Sequence, residues 1–256
     1  MILSPSAGLK QDEIPVLEVN YEIASYLLDP EKRLSIPSLF ALMVEVAHRD
    51  AGRRGWGYSE MIRENRAWVF LRSLIRVTRW PVWGETVTIR TWPKSMEGIA
   101  AYRDFQFKGP EGQLLVSATT VWSLIDLEAR KPLRMNGEEF NTGTLAATHS
   151  VQDKPSRLVP PPGAQSVRTF QAQYYHSDMN RHINNARYID RVLSEFPAEF
   201  LEADCREIEV NFNSELYVGD PVEVVVGPAE RRGDPLIGLI RNLSTGQQAF
   251  AMALKF

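Results

Sequence analysis

The chain has 256 residues, 44% of them hydrophobic and 24% charged, a balance typical of an ordinary globular protein with one large domain or two modest ones. Its formal net charge of -3 excludes a strongly basic nucleic-acid binder, and its single cysteine, Cys205, excludes an internal disulfide and favours a reducing cytoplasm. The N-terminus lacks a basic stretch followed by a long apolar run, so we expect no signal peptide, and no segment approaches the ~20 apolar residues of a membrane span.

The first half of the chain predicts a strand followed by an amphipathic helix. Pro37 stands near the start of that helix, where its missing N–H costs little. Apolar residues then recur at helical spacing at Leu39, Leu42, Met43 and Val46. These side chains, with their neighbour Phe40, could line a pocket for an apolar substrate, although core packing alone also explains them.

The second half repeats this plan. Residues 170–178 match residues 21–29 in length and pattern, with Asp178 over Asp29, and a second amphipathic helix follows. Its apolar positions are Ile189, Val192, Leu193 and Phe196.

Strands follow each helix. Ile208, Val210 and Phe212 alternate with polar residues, which predicts a half-buried strand. Residues 217–224 match residues 82–89, each with a glycine and an acid before an alternating strand, and a Gly-Gln turn recurs at 112–113 and 246–247.

Each half therefore predicts a long buried helix wrapped by an antiparallel β-sheet, which is the hotdog plan. The fold class is α+β, a tandem or double hotdog whose two sheets pair edge to edge. We predict an N-terminal hotdog over residues 1–150, a proline-rich linker over 151–163 and a C-terminal hotdog over 164–256.

The polar residues with chemical potential lie just before the second helix. Asp178, Asn180 and His182 stand at alternate positions there, where unpaired backbone N–H groups and the helix dipole stabilise negative charge developing on a carbonyl oxygen. The first half has Glu31 and Arg33 in place of the Asn/His pair, so we expect one site per chain.

Glu215 is the second candidate. Its counterpart in the first half is Trp80, so this carboxylate is peculiar to the half that carries the histidine. In a partly apolar cleft it could act as a general base toward water, whereas an isolated glutamate near a strand end is ordinarily solvated. There is no Gly-x-Ser-x-Gly elbow, metal-ligand histidine spacing or phosphate-binding glycine loop, so we expect no covalent acyl-enzyme, metal or cofactor.

Several separated motifs resemble the acyl-acyl carrier protein thioesterases, the FatA and FatB enzymes of plants and their bacterial relatives. Residues 178–185, Asp-Met-Asn-Arg-His-Ile-Asn-Asn, resemble the family's catalytic box, and residues 79–92 resemble its Arg-Tyr-Pro-x-Trp-Gly-Asp strand-turn-strand. Residues 118–122, Ala-Thr-Thr-Val-Trp, and the basic turn at 128–134 resemble a third stretch. The resemblance covers nearly the whole chain.

The resemblance implies a double hotdog that hydrolyses fatty acyl thioesters on acyl carrier protein, releasing free fatty acid and ending chain elongation. It assigns catalysis to Asp178, Asn180 and His182, and it places the family's Glu-Cys pair on Glu215 and Leu216. The cysteine is thus absent here, which undermines a Cys-His-Asn mechanism and leaves the glutamate. The chain also lacks the plastid transit peptide of plant members, so we expect a cytoplasmic enzyme of bacterial type.

The partner implied is an acidic acyl carrier protein, for which a basic surface near the cleft is expected. The candidate residues are Arg130, Lys131, Arg134, Arg181 and Arg187, each of which could equally be ordinary solvated surface. Three alternatives stay open for the function: an acyl-coenzyme A thioesterase, a hotdog hydratase or dehydratase, and a non-catalytic acyl-thioester sensor. Two hotdogs in one chain let a monomer suffice, and a homodimer is the alternative.

Overall fold

The computed structural model describes residues 14–135, 148–228 and 234–256, and its main feature is an antiparallel sheet of eleven strands. The first half contributes β1 (Leu17–Glu22), β2 (Arg66–Val77), β3 (Thr86–Glu97), β4 (Ala100–Lys108), β5 (Leu114–Asp126) and the short β6 (Lys131–Pro132). The second half contributes β7 (Gln165–Gln171), β8 (Glu207–Phe212), β9 (Pro221–Val226), β10 (Leu236–Asn242) and β11 (Gln248–Lys255). The helices are α1 (Ile36–Arg53), α2 (Tyr58–Arg63), α3 (Asn185–Leu193) and α4 (Ala198–Leu201).

The strand order confirms the predicted duplication. Ten strands follow one path, β1-β3-β4-β5-β2-β8-β11-β10-β9-β7, in which the second half repeats the order of the first in reverse. The halves join where β2 and β8 pair antiparallel, with Ile75 opposite Ile208. Because each half closes one edge of the other, two hotdogs share a continuous sheet, and the fold is the double hotdog that the sequence predicts.

The two glycine–acid turns have the same geometry. Gly84 and Gly219 have φ values of 75° and 94°, which a side-chain-bearing residue rarely adopts. Their N–H groups donate to the carbonyl oxygens of Ile23 and Ala172, at 2.9 Å and 2.8 Å. The repeated glycine is therefore a conformational requirement of the turn that begins β3 and β9.

The two central helices occupy equivalent places but differ in length. α1 has 18 residues and begins at a Ser35 cap followed by Pro37, whereas α3 has nine residues and begins at an Asn184 cap. The prediction of a long helix in both halves is thus right for α1, whereas α3 is shorter than predicted. Pro197 explains the early end, since a residue before proline is driven away from the helical region, and Phe196 is buried beyond the helix.

The linker before β7 covers one face of β8. Asn211 accepts a hydrogen bond from the Leu158 N–H at 2.8 Å and donates one to the Ser156 carbonyl at 3.0 Å. Glu209 accepts from the Ser156 N–H. The expectation of a half-buried strand is therefore wrong at Glu209 and Asn211, which are buried as well, because the linker supplies the hydrogen bonds that burial requires.

The described residues contain no helix that is long and apolar enough to cross a membrane. The N-terminal ten residues, on which the expectation of no signal peptide rests, lie outside the described part of the chain.

Candidate active site

A short, closely hydrogen-bonded loop leads into α3. The Asp178 N–H donates to the His182 carbonyl at 2.9 Å, and the Asp178 Oδ1 accepts from the Asn180 N–H at 2.8 Å. Arg181 adopts a left-handed backbone with φ of 63° and donates its N–H to the Asp178 carbonyl at 3.0 Å. These bonds fix the backbone that presents His182 immediately before the Asn184 cap of the helix.

His182 and Glu215 lie side by side. The His182 Nδ1 is 3.3 Å from the Glu215 Oε1, and each side chain is 31% exposed. The loops that carry them are fastened together, because the Ile183 N–H donates to the Leu216 carbonyl at 2.9 Å and the Leu216 N–H donates to the Tyr188 hydroxyl at 2.9 Å. The imidazole and carboxylate that the sequence singled out thus form one polar pair at the surface of the second half.

Two further side chains complete this cluster. Arg130, from the turn after β5 in the first half, donates from Nη2 to the Glu215 Oε2 at 2.6 Å. The Tyr217 hydroxyl donates to the same oxygen at 2.7 Å, and its ring stands edge-on to the His182 ring with the centroids 5.0 Å apart. The proximity of Tyr217 to Glu215 could be expected from the sequence, since residues two apart in extended chain lie on the same face. No spacing rule predicts that Arg130 contacts Glu215.

The other two predicted catalytic residues have different surroundings. Asp178 is half-buried and uses its carboxylate to brace the loop backbone. The Asn180 side chain is exposed and makes no hydrogen bond to the part of the chain that the structure describes, so its carboxamide is available to a ligand. The catalytic roles of Asp178, Asn180, His182 and Glu215 stay predictions.

The equivalent site in the first half has become a contact between the halves. Arg33, the counterpart of His182, pairs with Asp29 at 3.0 Å and donates to the Leu201 carbonyl at 3.1 Å in the second half. Trp80, the counterpart of Glu215, is buried and donates from its indole to the Cys205 carbonyl at 3.2 Å. The first copy keeps the loop geometry but uses its side chains to hold the other copy.

The one cysteine is a core residue. Cys205 is buried, as the sequence predicts, and burial raises the pKa of its thiol to about 12. A thiol that stays protonated at neutral pH is a poor nucleophile.

The predicted pocket residues of α1 are packed in the core. Leu39, Leu42, Met43 and Val46 are all buried, and their role in substrate binding stays a prediction. A cavity of about 50 Å³ lies further along α1, beyond these four positions. Its apolar lining includes Ala47, Ala51, Trp56, Trp68, Met96 and Trp122.

A series of aromatic contacts runs from this cavity to the strand that precedes Glu215. The Trp122 ring is 4.7 Å from the ring of Phe70, which is 5.5 Å from the ring of Phe212 at the end of β8, shortly before Glu215. A second cavity, of about 10 Å³, is lined by Ile183 and Leu216. Neither His182 nor Glu215 lines either of these two cavities.

The fold and this cluster define a hotdog protein with one polar site built from both of its halves. The family model described as the acyl-ACP thioesterase N-terminal domain matches residues 15–142, and the model described as the C-terminal domain matches residues 161–256. The chain therefore belongs to the acyl-ACP thioesterase family.

Individual relatives agree with this assignment. The chain is 27% identical to the chloroplast acyl-carrier-protein hydrolase FATB1 of Cuphea viscosissima over 91% of its own length and 60% of the relative's. It is 29% identical to the chloroplast palmitoyl-acyl carrier protein thioesterase of Gossypium hirsutum over 73% of its own length and 49% of the relative's. The chain thus spans roughly half of the curated relatives that it matches.

The fold is shared with a crystal structure of an acyl-ACP thioesterase from Bacteroides thetaiotaomicron, with a TM-score of 0.83, 24% identity and coverage of 94% of this chain and 97% of that one. It is also shared with a 12:0-ACP thioesterase from Umbellularia californica, with a TM-score of 0.81, 21% identity and coverage of 94% and 96%.

Proposed function

We propose that this chain hydrolyses fatty acyl thioesters carried by an acyl carrier protein, releases the free fatty acid and thereby ends chain elongation in the cytoplasm. The observation that carries the proposal is the contact between the His182 Nδ1 and the Glu215 Oε1, in a chain of the acyl-ACP thioesterase family. An imidazole and a carboxylate within reach of one another are the groups that can polarise a carbonyl and move a proton from water.

In this mechanism the thioester carbonyl lies against Asn180 and His182, near the start of α3. Glu215 takes a proton from a water molecule, whose oxygen forms a bond to the carbonyl carbon while the carbonyl electrons move onto oxygen. Donors near the helix start stabilise that oxyanion. The intermediate then collapses, the C–S bond breaks, and the departing thiolate takes the proton from Glu215. Asp178 acts through the loop backbone, which its carboxylate holds.

The acyl chain needs an apolar space, and the cavity beside α1 is the candidate. Its lining is largely aromatic and aliphatic, and Trp122 of that lining contacts Phe70, which contacts Phe212 on the strand before Glu215. The proposal requires these rings to move so that the acyl chain can reach the cavity. An Ala51→Leu substitution narrows the cavity, so hydrolysis of longer acyl chains should fall relative to shorter ones, whereas an unchanged chain-length profile would exclude this cavity.

The carrier is expected to approach the exposed basic residues around the cluster. Lys131, Arg134, Arg181 and Arg187 are exposed, and their attraction to an acidic carrier should weaken as salt is added. The division into two hotdogs at residues 151–163 is part of the same proposal, since one half supplies the histidine loop and the other supplies the cavity. The proposal needs a single chain, with a homodimer as the alternative.

The alternatives differ in what they release. An acyl-coenzyme A thioesterase accepts the coenzyme A substrate as readily as the carrier-bound one, a hydratase adds water to an enoyl thioester without freeing a thiol, and a sensor binds without turnover. The test combines thiol release from carrier and coenzyme A thioesters of several lengths with a hydration assay on an enoyl thioester.

We expect thiol release from the carrier substrate, and losses of about a hundredfold or more in the Asn180→Ala and His182→Ala variants, because removing an oxyanion donor has that effect. Hydration without thiol release, or binding without either, would reject hydrolysis.

A further inference from the structure

The Glu215 carboxylate is held unequally at its two oxygens. A carboxylate offers about four acceptor positions, two on each oxygen. The Oε2 atom receives two donors, the Arg130 Nη2 at 2.6 Å and the Tyr217 hydroxyl at 2.7 Å. The Oε1 atom faces only the His182 Nδ1, at 3.3 Å, among the described residues. The acceptor capacity that is left therefore lies on Oε1, the oxygen beside the imidazole.

We propose that Arg130 and Tyr217 are positioning residues of the catalytic centre, which occupy the Glu215 Oε2 and so make Oε1 the oxygen that accepts the proton of the attacking water. This inference rests on the proposed hydrolysis. Neither residue touches the thioester in this scheme. Both act by fixing the rotation of the carboxylate so that its free lone pair points to the place where His182 holds the carbonyl.

Hydrogen bonds from neighbouring residues hold the turn that carries Arg130. The Asp126 Oδ1 accepts the Ala129 N–H at 2.7 Å, and the Leu127 N–H donates to the Asn65 carbonyl at 2.9 Å. Arg130 itself adopts a left-handed backbone with φ of 50° in the turn between β5 and β6, a conformation that costs a non-glycine residue energy. Its guanidinium thus crosses from the first half to a carboxylate of the second.

Tyr217 supports both members of the catalytic pair. Its hydroxyl donates to Glu215, and its ring stands edge-on to the His182 ring at an interplanar angle of 81°. Burial and the adjoining Glu215 carboxylate raise the pKa of Tyr217, so the phenol keeps the proton that it donates. The Arg130 Nη2 also donates to the phenol oxygen, at 3.3 Å, which closes the three-residue cluster.

A docking role for Arg130 makes different predictions. If Arg130 only attracted the acidic carrier, its loss would raise KM for the carrier substrate and leave kcat and the coenzyme A substrate unaffected. A positioning role lowers kcat on both substrates, because the defect lies in the proton transfer that both share.

The experiment compares kcat and KM of Arg130→Ala, Arg130→Lys and Tyr217→Phe with wild type, on carrier and coenzyme A thioesters of one acyl length. Arg168→Ala is the matched control, since Arg168 is also an exposed arginine paired with a less exposed carboxylate, that of Glu195, and neither contacts the cluster. We expect Arg130→Ala to lose about tenfold or more in kcat on both substrates, the effect of removing a charged hydrogen bond from a reacting group. Arg130→Lys should recover part of the loss, and Arg168→Ala should match wild type.

Chemical rescue provides a second readout that a change in folding would not move. Arg130 is 65% exposed, so free guanidinium ions, kept well below unfolding concentrations, can reach the vacated position in Arg130→Ala and should restore part of kcat. A kcat that is unchanged in Arg130→Ala and Tyr217→Phe, with wild type active and Glu215→Gln inactive, would overturn the positioning role and leave the proposed function standing. A wild-type protein that releases no thiol from any thioester would overturn both.

Discussion

Replacing Glu215 with glutamine separates catalysis from stability. The amide keeps the size of the carboxylate but cannot accept a proton from water. Its NH2 group must also either meet the donors of Arg130 and Tyr217 or face the His182 Nδ1. General-base catalysis contributes about 10²–10⁴ in rate, so the barrier should rise by about 3–5 kcal/mol.

The same substitution should have little effect on folding. The Arg130 and Glu215 side chains are 65% and 31% exposed, and an ion pair this open to solvent contributes about 0–1 kcal/mol. For a chain of this size 1 kcal/mol corresponds to a Tm change of about 2–4 °C. A fall in kcat of a hundredfold or more with a nearly unchanged melting curve is therefore the expected result.

The assay follows thiol release with a chromogenic thiol reagent, and buried Cys205 should react slowly enough not to interfere. A Glu215→Gln protein that melts like wild type and keeps more than about a tenth of its kcat would refute the general-base role. If the loss of activity is accompanied by a large fall in Tm, the carboxylate is structural rather than catalytic.

Three other predictions concern the scaffold. Arg33→Ala should lower the free energy of unfolding by about 2 kcal/mol, because its charged hydrogen bonds hold the second half, while kcat at low temperature stays unchanged; denaturant titration and the thiol assay check this. Gly238→Ala should cost about 1–3 kcal/mol in the same titration, since an added Cβ overlaps Val192 of α3. Burial and the Arg191 guanidinium hold the pKa of His176 below its usual value. The neutral imidazole therefore contributes to stability above about pH 6.5, and this contribution is lost as the pH falls. In thermal melts, the Tm of His176→Gln should fall less on the acid side than the Tm of wild type.

The sequence predicted those parts of the fold that follow local rules. The glycines at 84 and 219 mark turns that need a left-handed backbone, and the apolar spacing of α1 follows directly from helical geometry. The pairing of the two loop copies was visible for the same reason, since the Asp29 and Asp178 N–H groups donate to the carbonyl oxygens of Arg33 and His182, at 2.8 Å and 2.9 Å. The repeated sequence pattern is thus matched by repeated backbone hydrogen bonds.

The rest depends on contacts between distant segments. The burial of Asn211 depends on a linker that begins far upstream and crosses the sheet, and the contact between Arg130 and Glu215 joins the two halves. The spacing of residues along the chain carries no information about such long-range contacts. The early end of α3 was partly visible, because Pro197 stands shortly beyond it, but the apolar repeat at Phe196 outweighed that signal.

Duplication explains why one copy could lose its polar residues. Two copies of the loop occupy equivalent positions, yet Arg33 and Trp80 in the first copy point to backbone carbonyls of residues 201 and 205 in the second. A histidine is too short and a glutamate has no N–H to make these contacts, so the residues that would restore a site there would remove bonds between the halves. In return the first half supplies Arg130 to the surviving carboxylate. The two copies therefore have different roles. The second copy presents the imidazole and the carboxylate, whereas the first copy holds the two halves together through Arg33 and Trp80 and hydrogen-bonds the carboxylate through Arg130.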